Sequence, residues 1–133
     1  HALATQLARK ATGQPEAALW FKRLGLVGKT MEDAVFAELV TAFGGLDMEP
    51  FFRNLQAIGE HDAEDVLATI TLPTLVITGD KDLMTPPALA QQMARKIAGA
   101  ELLIVRGGTH YTVVEQPELV SLRVERFYRD QGF

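Results

Sequence analysis

Hydrophobic positions follow two different patterns along the chain, and the change falls near residue 60. Before it, apolar side chains recur at helical spacing between short glycine- or proline-marked breaks, and nothing alternates with period two. Residues 1–10 read as the tail of a helix. Pro15 then stands where a first helical turn tolerates proline. The helix over 16–24 carries Leu19, Trp20 and Leu24 on one side before Gly25 stops it. Thr30, with Asp33 three residues on, reads as a variant capping box opening a helix over 31–43, ended by Gly44 and Gly45. Asp47 is placed to cap a helix over 48–58, with Gly59 as its stop.

After residue 60 short apolar runs alternate with helical stretches. Residues 74–78, a β-branched run between Pro73 and Gly79, predict a strand, and 102–105, closed by Gly107 and Gly108, predict a second. Between them 86–97 reads as a helix. Residues 117–129 read as a last helix, burying Leu119, Leu122, Val124 and Phe127. Both runs are continuously apolar, the pattern of strands covered on both faces. Strand, helix, strand, helix is the βαβα order of a parallel sheet, so the expected class is α/β.

Composition narrows the function. The chain has 133 residues, 47% of them hydrophobic, enough to bury a core. Thirteen Lys+Arg against seventeen Asp+Glu give a net charge of −4, the wrong sign for a nucleic-acid partner. No apolar run approaches the roughly 20 residues that span a bilayer, so no membrane is expected. Cysteine is absent, which removes disulfides, thiolate metal sites and thiol nucleophiles and fits a cytoplasmic setting. No metal or organic cofactor is expected. Residues 60–65, Glu-His-Asp-Ala-Glu-Asp, suit the acidic start of a helix better than a metal cluster.

The candidate chemistry lies in the turns that leave the two strands. Asp80 and Asp82 sit in the first, within Gly79-Asp80-Lys81-Asp82, and His110 sits in the second, within Gly107-Gly108-Thr109-His110. Parallel strands deliver both turns to the carboxyl edge of the sheet, where open α/β folds bind ligands. Strands about 4.8 Å apart let an Asp from one turn meet a His from the other. A carboxylate on Nδ1–H would fix the imidazole tautomer and leave Nε2 as a general base.

These segments resemble a known family. Residues 72–86, Leu-Pro-Thr-Leu-Val-Ile-Thr-Gly-Asp-Lys-Asp-Leu-Met-Thr-Pro, followed by Gly107-Gly108-Thr109-His110-Tyr111 and Glu115-Gln116-Pro117-Glu118, resemble the end of an α/β-hydrolase. The resemblance implies Asp82 as the triad acid, His110 as its base, Asp80 as structural, and Glu115 with Pro117 as a brace after the histidine. Thr109 stands where the family often has glycine. The resemblance also implies that residues 1–60 form a helical cap and 61–133 the carboxyl-terminal part of the core.

The family's nucleophile precedes its acid, in a G-x-S-x-G elbow. The sequence holds no such elbow. Its only serine, Ser121, falls in the middle of the last helix. The expectation is therefore a fragment of a serine-type hydrolase for an ester, lactone or similar acyl substrate, which supplies acid and histidine but no nucleophile and is inactive alone. Its partner would be a missing amino-terminal half or a second copy. Dehalogenase or epoxide-hydrolase chemistry, with an Asp nucleophile, is the rival on the same fold. A non-catalytic binding or assembly module is the rival outside it.

Overall fold

The apolar run after Pro73 forms one of two neighbouring parallel strands. A computed structural model describes residues 21–132. In chain order they form α1 (Asp33–Gly44), α2 (Met48–Glu60), the single turn α3 (Glu64–Leu67), β1 (Leu75–Gly79), α4 (Pro87–Lys96), β2 (Glu101–Val105), the single turn α5 (Thr112–Glu115) and α6 (Pro117–Asp130). The expected helix over 1–10, and the stretch bearing Leu19 and Trp20, lie outside the described residues.

β1 and β2 pair in parallel from Leu75 opposite Glu101 to Gly79 opposite Val105, so the two strands end level. α4 is the crossover between them and packs on both. It begins at Pro87 and carries Arg95 and Lys96 in its last turn, where positive charge complements the helix dipole. Gly99, at φ +73°, then turns the chain into β2.

The helical half has its own core of Val27, Met31 and Phe36. Phe21, Val35, Leu39, Val40 and Tyr111 pack around it, and the Phe21 and Phe36 rings meet edge to face at 5.6 Å. Tyr111 belongs to the turn after β2, so this core also joins the two halves of the chain.

Several local expectations are corrected. Thr30 and Asp33 form no capping box: α1 starts at Asp33 behind Glu32, which caps nothing with its side chain. The Asp33 carboxylate instead accepts from Lys22 Nζ at 2.7 Å. Asp47 does cap α2, accepting from Glu49 N at 3.1 Å, yet Gly59 does not stop that helix, which runs on through Glu60.

On α6 the inward side chains are Val120, Val124 and Phe127, spaced by four and three, while Leu122 is 68% exposed and Leu119 44%. The sheet is covered unevenly rather than on both faces, with Val105 1% exposed and Ile104 38%. α3 and α5, four residues each, are too short to show a helical period in sequence. Among the described residues no helix is long and apolar enough to cross a membrane.

The closest backbone approach lies where the strands end. A Cβ added at Gly79 would run into the Gly108 carbonyl and stand 2.6 Å from Thr112 Oγ1. Gly79→Ala is therefore expected to destabilise the chain by about 1–3 kcal/mol through overpacking, read as a lower urea midpoint. Gly59→Ala, with open space around it inside α2, should instead raise the midpoint, by about 0.5–1 kcal/mol of helix propensity.

Candidate active site

The level strand ends send two turns out side by side, and backbone hydrogen bonds sew them together. Asp80 N donates to Val105 O at 3.0 Å and Lys81 N to Gly108 O at 2.9 Å. Asp80 completes the seam with its side chain, accepting from Gly107 N at 2.7 Å. This is the structural part that the resemblance implied for it.

Asp82 and His110 meet across this seam, with Nδ1 3.0 Å from Oδ2. The carboxylate is 6% exposed and has all four of its acceptor positions engaged. Oδ1 accepts from Met84 N at 2.9 Å and Thr85 N at 2.8 Å, and Oδ2 accepts from Thr85 Oγ1 at 2.8 Å as well as from the ring. Because a carboxylate only accepts, its partner Nδ1 carries the proton, which Thr85 Oγ1 at 3.3 Å also faces.

The ring's hydrogen bonds among the described residues both run through Nδ1, which leaves Nε2 without one, and its side chain is 39% exposed. Burial pushes the Asp82 carboxyl up. The hydrogen bonds from Thr85, His110 and Met84 outweigh it and leave the group below its ordinary 3.8.

Behind the histidine stands a second buried carboxylate. Glu115 is 4% exposed and accepts from Thr109 N at 2.8 Å, Thr109 Oγ1 at 2.5 Å and, from 87 residues away, Gly28 N at 2.5 Å. Thr109 Oγ1 in turn accepts from Tyr111 N at 3.3 Å. The hydroxyl standing in the glycine position is thus part of the brace. Pro117 opens α6, as expected.

Sequence reasoning gave no role to Thr85 or Gly28. Asp followed three residues later by Thr, ahead of Pro86, is the local signal for the first. No local signal marks the second.

The other candidates are accounted for locally. Ser121 is exposed on α6. In the acidic stretch Asp62 accepts from Glu64 N at 2.9 Å, and Glu64 pairs with Lys96 of α4.

The parallel strands, the two turns and the sequence around them define an α/β-hydrolase, and the chain belongs to that family. Residues 54–131 match its family model described as TAP-like protein. Among curated proteins, a pimeloyl-[acyl-carrier protein] methyl ester esterase of Xanthomonas oryzae pv. oryzae is 28% identical over 123 residues, 92% of this chain and 49% of that protein. A proline iminopeptidase of Pestalotiopsis fici is 40% identical over 58 residues, 44% of this chain and 21% of that protein. Among solved structures, the enol-lactonase from Burkholderia xenovorans superposes with a TM-score of 0.73 at 28% identity, over 92% of this chain and 48% of that one. The chain spans from a fifth to about half of the curated relatives it matches.

Removing the Glu115 carboxylate would leave the Gly28 and Thr109 amides buried without acceptors. Glu115→Ala is expected to destabilise the chain by about 3 kcal/mol or more, at 1–3 kcal/mol per orphaned group. Hydrogen exchange at those two amides should accelerate ahead of the strand amides. For Asp82, a folded-state pKa below the unfolded value means that its stabilisation is complete above that unfolded value. The contribution is lost as pH falls through the folded pKa, below about 3.8. Acid titration of the wild type against Asp82→Asn checks this: the variant's stability should fall less steeply there.

Proposed function

We propose that this chain supplies the acid and the general base of a serine-type triad acting on an ester, lactone or similar acyl compound. The nucleophile and the oxyanion donors would come from sequence outside these 133 residues. The observation that carries the reading is the contact of His110 Nδ1 with Asp82 Oδ2 at 3.0 Å, on a turn pair that leaves Nε2 open. Relatives named as an esterase and a lactonase support the acyl class.

In this mechanism Nε2 takes the proton of the attacking serine hydroxyl while Asp82 stabilises the imidazolium. The same proton then passes to the leaving oxygen as the acyl–enzyme forms. In the second half Nε2 takes a proton from water, and the resulting hydroxyl attacks the acyl carbon. The proton returns to the serine oxygen as the acid product leaves.

The remainder of the fold would dock on two surfaces. β2 is the only strand paired with β1 among the described residues, so the other edge of β1 offers unpaired backbone groups. Phe52, Leu55 and Ile58 form an exposed apolar stripe on α2. An open edge and an uncovered stripe are surfaces that recruit a complementary chain.

The test is complementation. Alone, the chain should not hydrolyse p-nitrophenyl acetate. Co-expressed with an amino-terminal half bearing a serine elbow from a family member, it should co-purify and gain activity. In the active complex His110→Ala is expected to lower kcat by about 10³-fold or more, and Asp82→Asn nearly as much. Asp80→Asn keeps an acceptor for Gly107 N and should change kcat by less than about tenfold. Equal losses for the two Asp variants would remove Asp82 from the role of acid.

A further inference from the structure

A cavity of about 240 Å³ opens beside the two turns, and its walls come from three separate stretches: residues 22–30, Lys81, and residues 106–116. Four cationic side chains line it, Lys22, Lys29, Lys81 and Arg106, and no carboxylate does. This gathers four of the chain's thirteen Lys and Arg residues at one place in a protein of net charge −4.

Only one of the four cations serves an internal ion pair. Lys22 is held by Met31 O and Asp33, which leaves Lys29, Lys81 and Arg106 without an ion pair among the described residues. Three carboxylates stand one hydrogen bond behind the wall, Asp33 on Lys22, Asp80 on Gly107 N and Glu115 on Gly28 N and Thr109 N, and none of them pairs with Lys29, Lys81 or Arg106. The three unpaired cations repel one another unless an anion enters, and a concave wall strengthens their joint field at its centre.

We infer that this cavity is a binding site for a compact oxyanion, a phosphate or carboxylate group, held by Lys29, Lys81 and Arg106 with Thr30 as a hydroxyl donor at its wall. The volume matches about eight waters at roughly 30 Å³ each, room for one such group with part of its hydration shell and too little for a drug-sized molecule. Arg106 offers the bidentate fork that oxyanions favour, and the two lysines act as point charges.

The site lies one residue from the chemistry on both turns. Lys81 precedes Asp82, and Thr109, which lines the cavity, precedes His110. It is separate from the Asp82–His110 contact, and its existence does not rest on the acyl-hydrolase reading.

Binding of inorganic phosphate to the 133-residue chain, followed by amide NMR and calorimetry at low ionic strength, tests it. Saturable binding is expected, with shifts centred on residues 28–30, 81 and 106–109. The pair Lys81→Ala with Arg106→Ala should weaken it by about tenfold or more, as expected for lost charge-assisted hydrogen bonds. Lys81→Arg with Arg106→Lys should keep it within a few-fold. Arg95→Ala with Arg129→Ala, which removes two cations outside the cavity, should change nothing. Non-saturable shifts, or equal weakening by the Arg95 and Arg129 pair, would overturn the site.

A second arm separates the source of the anion. In the complemented complex, phosphate that raises KM for a carboxylate-bearing ester but not for a neutral one marks the substrate's own anionic end. Unchanged KM for both marks a free anion. Either result leaves the site in place.

Discussion

Parallel strands that end level impose a constraint on everything that follows them. With Gly79 opposite Val105, the chain leaves both strands at the same height and has about one strand spacing in which to place two turns. Only backbone without a side chain fits at the seam, where Gly79 meets Gly108. The hydrogen bonds from Asp80 and Lys81 to the second turn then fix how the turns lie against each other. With the turns fixed in this way, Asp82 and His110 come within hydrogen-bond reach, at 3.0 Å. The pair is thus a consequence of sheet register, and its geometry does not depend on the flexibility of a long loop.

Two buried carboxylates divide the work of holding this edge. Asp82 faces the ring and is satisfied within its own turn by Met84 and Thr85. Glu115 faces away from the ring and binds the peptide just before it, while also holding Gly28 of the helical half. Each carboxylate is desolvated, and each is stable only because donors fill its acceptor positions. Tyr111, on the other flank of His110, packs into the core of Val27, Met31 and Phe36. The histidine is therefore gripped on both sides by contacts that reach the helical half, and a shift of that half would be felt at the ring.

Much of this edge was legible because its determinants are local. Continuous apolar runs bracketed by proline and glycine marked β1 and β2, and their parallel pairing brought Asp82 and His110 together as the turn positions required. The long-range ties were not legible. Gly28 carries no side chain to announce its bond to Glu115, and Lys22 captured the Asp33 that local spacing had offered to Thr30. The side of α6 was misread for a related reason. Leu119 and Leu122 are as apolar as the positions facing inward, but burial follows the Val120, Val124 and Phe127 spacing.

The uneven coverage of the sheet bears on the proposed partner. A strand such as Leu102-Leu103-Ile104-Val105 is written for burial on both faces, yet Ile104 remains open while Val105 is sealed. Leu83 and Met84 are likewise exposed on the turn that holds Asp82. A general base works best where water is excluded and charge is weakly screened. The His110 ring, 39% exposed, lacks such cover among the described residues. The uncovered apolar side chains and the unpaired edge of β1 thus lie on the same structural unit as the half-exposed His110, the proposed base. One complementary layer would remove both deficits at once, which is why the proposed partner is a piece of the same fold rather than an unrelated protein.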